Sequence, residues 1–161
     1  ETGHILNSRL ELFIKLPILL MYIPVINGVG GNVGSVLGAR LSSALHTGYI
    51  KPKFSGKRLK SNVFTSLLLG VIVFIFLSFI VACLLLLLNI KVNISVIRLI
   101  AIVIGAGLML TMIVTASTVL LSIISFKAKL DPDNVVIPVL TTIADISGIC
   151  CLVLMFWVVG I

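Results

Sequence analysis

Apolar positions run through this chain in long blocks rather than in alternation. Residues 63–88, 97–126 and 135–161 are nearly continuous hydrophobic stretches, the first ending in a run of leucines. Each exceeds the ~20 residues a helix needs to cross the hydrocarbon of a bilayer. Residues 12–46 are weaker but long, and are interrupted by NGVGGNVGS at 27–35. The pattern there allows one long bent helix or two pieces joined near residues 24–32. The expected fold class is an all-α integral membrane protein, one domain over 1–161, with four spanning helices visible. The first of them is long, bent and Gly-rich.

Composition agrees. Of 161 residues, 60% are hydrophobic and 11% charged, with a mean hydropathy of +1.31. Soluble domains carry roughly 25% charged residues, so the bilayer is the expected solvent. The chain starts at Glu1 with no initiator Met and no signal-peptide pattern, and is expected to be a piece of something longer or a trimmed chain.

Positive charge predicts orientation. Residues 48–62 read GYIKPKFSGKRLKSN, with five Lys and Arg between 51 and 60. That loop is expected on the cytoplasmic side of the plasma membrane, against anionic lipid headgroups. A nucleic-acid role is not expected of a basic loop between two membrane spans. The loop 126–134, with Lys127 and Lys129, is expected to be cytoplasmic too. NIKVNIS at 89–95, Glu1 and the C-terminus then lie outside.

Only five carboxylates occur, and Asp145 alone falls inside an apolar span, whereas Asp131 and Asp133 lie in LDPDN. A central Asp costs ~2.5–3.5 kcal/mol on insertion scales, so it is a functional residue by default. At helical spacing Thr141, Thr142 and Gly148 lie near it. Pro138, one turn further back, frees a backbone carbonyl near residue 134. Carboxylate, hydroxyls and carbonyls are hard oxygen donors that suit Mg²⁺ or Ca²⁺. An Asp merely held by Thr hydroxyls or by a Lys is the bland alternative.

Gly30, Gly34, Gly38 and Ser42 recur every four residues, beside a second row of Gly31, Ser35, Ala39 and Ser43. Such rows let another helix approach closely. Packing does not account for Asn27 and Asn32, whose amide oxygens suit an ion or its water. Asp131 or Asp133 can cap a helix starting near 135, with Pro132 at its entry, or gather cations at the cytoplasmic mouth. Cys83, Cys150 and Cys151 lack ligand spacing and read as buried, reduced residues, with metal ligation the minor alternative. No catalytic or nucleotide motif appears, so no enzyme is expected.

At these residues the sequence resembles the membrane domain of MgtE-type magnesium transporters, in particular the branch of archaeal and eukaryotic solute-carrier-like members. PVINGVGGNVGSVLGARLSSALHTG at 24–48 matches a pattern of Pro, G-G-N-x-G and a small-residue helix. LDPDNVVIPVLTTIADISG at 130–148 matches D-P, a later Pro, T-T and D-x-x-G. The resemblance implies five helices per subunit, the first preceding Glu1, and a homodimer with the ion path on its two-fold axis. It places G-G-N at Gly30, Gly31 and Asn32, the pore carboxylate at Asp145, and the T-T and Pro positions at Thr141, Thr142 and Pro138. Bacterial members often have a Gln shortly after G-G-N-x-G, where Val36 and Leu37 stand here. Residues 1–161 include no soluble magnesium-sensing domain.

The function expected is thus a divalent cation channel or transporter, with Mg²⁺ as the ion and Mn²⁺, Co²⁺ or Ca²⁺ compatible with the same oxygens. A Na⁺- or H⁺-coupled exchanger would use the same Asp, and a non-transporting membrane scaffold would use only the glycine rows. A lipid-modifying enzyme lacks an acid–base pair in the spans.

Overall fold

The computed structural model describes residues 2–87 and 95–159, with side chains from residue 22 onward. Four helices account for the fold: α1 (Thr2–His46), α2 (Lys57–Leu87), α3 (Val96–Lys127) and α4 (Pro132–Val159). The chain is an all-α protein whose α2, α3 and α4 are each long and apolar enough to cross a membrane. The expected outside loop 89–95, Glu1 and the last two residues lie outside the described residues, apart from Ser95, which precedes α3.

The glycine–asparagine stretch does not break the first helix: α1 runs without interruption through Pro24 and residues 27–35. The two-piece alternative is therefore excluded. Read locally, those residues favour a turn. Inside a bundle, tight contacts with neighbouring helices hold them in helical form. Two further boundaries move. α2 begins at Lys57 rather than near 63, so three of the five Lys and Arg residues between 51 and 60 lie on its first turn. α4 begins at Pro132 rather than near 135, because the Asp131 carboxylate accepts a hydrogen bond from the Asp133 amide at 3.2 Å and caps the helix there.

α3 occupies the centre and packs against all three other helices, as does α1, while α2 and α4 lie on opposite sides and do not touch. Two glycines on α3 and α2 set that packing. A Cβ at Gly107 would enter the Phe74 ring, and one at Gly70 would meet Thr111. α3 also carries buried hydroxyls at Thr111, Thr115, Thr118 and Ser122. Thr111 donates to the Gly107 carbonyl at 2.8 Å and Thr118 to the Val114 carbonyl at 2.7 Å, which satisfies those two within their own helix, whereas the Thr115 and Ser122 hydroxyls have no hydrogen-bond partner among the described residues.

Between α3 and α4 the chain closes with a Schellman turn. The Leu130 amide donates to the Ser125 carbonyl at 2.9 Å and the Lys129 amide to the Phe126 carbonyl at 3.1 Å. Lys129 takes the left-handed conformation this requires, at φ 59°.

The α1–α4 contact is close. Gly34 faces Leu140 on α4 and Val114 on α3, with no room for a Cβ at either, and both neighbours are fully buried. Gly28, one position off that seam, has nothing within 4 Å of its missing Cβ. Gly34→Ala is expected to lower the stability of the detergent-solubilised protein by about 1–3 kcal/mol through overpacking. Gly28→Ala is expected to leave it unchanged or raise it by up to ~1 kcal/mol, since Ala is the better helix former and has room there. Thermal unfolding of the two variants checks the contrast.

Candidate functional site

α1 and α4 run antiparallel in a fixed register. Asn27 meets Asp145 and Gly148; Gly31 lies 3.9 Å, by its missing Cβ, from the Ala144 Cβ; Gly34 meets Leu140; Gly38 meets Val136 at 3.2 Å. At the loop end His46 Nε2 lies 3.5 Å from the Asp131 carboxylate. Each step of about one helical turn down α1 is matched by one up α4, so the whole length of the seam is in register.

This register divides the two small-residue rows of α1. Gly30, Gly34, Gly38 and Ser42 are buried inside the bundle. Of the second row, Gly31 is buried and Ser35 half-buried, while Ala39 and Ser43 are exposed. One row holds the bundle together; the other borders an open face.

The two asparagines part in the same way. Asn27 is buried, and its Nδ2 donates to the Asp145 backbone carbonyl at 3.1 Å. Its Oδ1 sits against Gly148, where a Cβ would collide with it, and has no hydrogen-bond partner among the described residues. Asn27 is thus an interhelical clamp rather than a group facing an open path. Asn32 is exposed and lines a cavity of about 150 Å³ with Val29, Val36, Leu69 and Val73, between α1 and α2.

On α4, Pro138, Thr141, Thr142 and Asp145 are all exposed and share one face. Both Thr hydroxyls donate to the Pro138 carbonyl, at 2.8 Å and 3.2 Å. Their protons are committed there, so their oxygen lone pairs remain free to accept. The Pro138 ring removes one amide from the helix and leaves the Asn134 carbonyl without its usual donor. Among the described residues no hydrogen bond or ion pair engages the Asp145 carboxylate, and both neighbouring Thr hydroxyls donate elsewhere. Asn32 does not meet this α4 group inside one copy.

Asp131 and Asp133 lie at the start of α4, both exposed. Asp131 is already engaged by the cap and by His46, whose ring packs edge-on against Phe126 at 5.4 Å. The cysteines divide: Cys151 is buried, Cys83 half-buried and Cys150 exposed. The expectation that all three are buried is corrected at Cys150, which lies on the outer side of α4. No group of three or more His, Cys, Asp or Glu side chains gathers to hold a metal among the described residues. A cavity of about 610 Å³ lies between α2 and α3 and is lined mainly by apolar residues such as Phe54, Leu67 and Met112, away from Asp145.

A glycine-seamed helix is thus paired with an apolar helix that exposes an Asp, and a family match spans both. The MgtE family, described as divalent cation transporters, matches residues 23–155. This chain belongs to the MgtE family. No curated protein and no solved structure matches it. The MgtE match makes it an integral membrane protein of a divalent cation transporter family, which is not an enzyme family.

The Asn27 clamp can be read by a double-mutant cycle. Gly148→Ala is expected to destabilise by about 1–3 kcal/mol. Asn27→Ala is expected to cost ~1 kcal/mol for its interhelical hydrogen bond. In the Asn27→Ala background, Gly148→Ala is expected to cost little, giving a coupling of about 1 kcal/mol or more. Strictly additive effects in thermal unfolding would show that the two residues do not meet.

Proposed function

We propose that this MgtE chain forms, as one transport domain in two copies, a path for largely hydrated Mg²⁺ along the open face of α1 and α4. The single observation carrying this is the exposure of Asp145 beside Pro138, Thr141 and Thr142 on one apolar, membrane-length helix. Left against lipid, that carboxylate costs ~2.5–3.5 kcal/mol. A second copy across the face replaces hydrocarbon with oxygen atoms and water.

The chemistry of the wall supports a hydrated dication. Water bound to Mg²⁺ turns its hydrogens outward, so the wall around it must accept hydrogen bonds. The α4 face offers acceptors: the Asp145 carboxylate, two Thr oxygens whose protons are already committed, and the Asn134 carbonyl released by Pro138. Asn32, exposed on α1, adds an amide oxygen. Two Asp145 carboxylates facing one another repel unless a dication lies between them. Mg²⁺ dehydrates reluctantly and keeps octahedral oxygen ligands at about 2.1 Å, so holding it through water leaves it free to move on. Mn²⁺, Co²⁺ and Ca²⁺ fit the same acceptors, and the preference for Mg²⁺ rests on its retained hydration shell.

Asp145→Asn keeps the shape and removes the charge. A hydrogen bond to a charged group is worth about 1.5–3 kcal/mol, which corresponds to roughly a ten- to hundredfold change. Mg²⁺ uptake into proteoliposomes is expected to fall by that factor. Unchanged uptake in the Asp145→Asn protein would remove Asp145 from the path. Uptake that varies with an imposed proton gradient would assign coupled exchange.

A further inference from the structure

The end of the bundle that carries the α1–α2 and α3–α4 connections is strongly basic. Eight of the twelve Lys and Arg residues lie at positions 40–60 and 127–129, opposed there only by Asp131 and Asp133. Such an excess repels a dication leaving or entering by that end. Two cavities adjoin there. One, of about 490 Å³, is lined by Arg40 and Ser43 of α1. The other, about 250 Å³, is lined by Lys57, Arg58 and Ser61 of α2. Tyr49 and Asn62 line both, and no carboxylate lines either.

Arg58 is held in place rather than free. Its guanidinium carbon lies 4.0 Å over the Tyr49 ring, and Nη1 donates to the Tyr49 carbonyl at 2.9 Å. Gly48, at φ 70°, turns the chain out of α1 into this arrangement. One of five guanidinium N–H groups is used in that bond, and the planar fork stays oriented for an oxyanion. The first cavity also continues the open face of α1: Asn32, Val36, Ala39 and Ser43 are all exposed and follow one another at helical spacing.

We propose that these joined cavities bind a phosphate group. Arg40 and Arg58 supply guanidinium donors, Lys57 a point charge, and Ser43, Ser61 and the Tyr49 hydroxyl neutral donors. The group is either the phosphodiester of an anionic lipid headgroup or free phosphate. Tyr49 and Phe54 stand 55% and 58% exposed beside the basic loop, as aromatic residues do at a membrane surface. Bound phosphate neutralises the basic end where the open face of α1 terminates. That consequence for ion passage rests on the path proposed above; the binding itself does not.

The test is lipid retention. The full chain is reconstituted in phosphatidylcholine nanodiscs containing phosphatidylglycerol, extracted, and its retained lipids counted by native mass spectrometry. The parent is expected to keep phosphatidylglycerol in preference to phosphatidylcholine. Arg40→Gln and Arg58→Gln are each expected to lower that preference about fivefold. Lys129→Gln, a basic-end charge outside both cavities, is expected to leave it unchanged. Displacement of the lipid by inorganic phosphate assigns the site to free phosphate; retention in its presence assigns it to the headgroup. Arg40→Gln removes neither the ring contact nor the hydrogen bond made by Arg58, so it carries the test if Arg58→Gln does not fold. Equal retention in the parent and Arg40→Gln proteins, or an equal loss in Lys129→Gln, overturns the proposal. Asp145→Asn is expected to retain lipid as the parent does, so failure of the ion path and failure of this site are read separately.

Discussion

The close antiparallel approach of α1 and α4 governs the rest of this structure. In lipid, apolar side chains gain little by leaving the hydrocarbon for one another, so helices associate through tight van der Waals contact and interhelical hydrogen bonds. Gly34 and Gly38 permit that contact because a Cβ at either would run into Leu140 or Val136 of α4, while Gly31 leaves room to spare beside Ala144. Asn27 adds a directional bond to the Asp145 carbonyl. Gly148 leaves the space its amide oxygen needs. A seam in register from Asn27 to His46 then decides, without further adjustment, which side of each helix is inside and which is open.

The open side follows from that decision. With Ala144 and Gly148 turned into the seam, Asp145, Thr141, Thr142 and Pro138 are carried to the surface of the protomer. The polar character of that face is one-sided. Its oxygens accept hydrogen bonds, because the Thr protons are spent on the Pro138 carbonyl. A surface of acceptors is poorly suited to another protein surface of the same kind, unless something rich in donors or positive charge lies between. Membership of a divalent cation transporter family agrees with such a surface.

Much of this was legible in the residues themselves. Hydropathy located α2, α3 and α4 to within a few positions, and a lone acid in an apolar span marked Asp145. Rules for helix starts named Pro132 with Asp131 or Asp133 as the cap, although the hydrophobic block alone put the start of α4 three residues late. What one strand of letters does not contain is the direction each helix faces. Asn27 and Asn32 are five residues apart, roughly 140° around the helix. One became a clamp and the other a surface group, and only the partner helices decide between them. The same holds for the two small-residue rows and for Cys150 beside Cys151. The continuity of α1 was hidden for a related reason: its Gly and Asn content is a poor helix former alone and is sustained by neighbours far away in sequence.

The separation of the two rows on α1 has an evolutionary consequence. The residues that make the monomer fold are not those bordering its open surface, although they alternate along the same few turns. Drift at Ser35, Ala39 or Ser43 can therefore remodel what the face meets without unpicking the seam behind it, whereas the buried row is locked between α3 and α4. A duplicated descendant of this chain would be free to diverge in its choice of companion while keeping an unchanged interior.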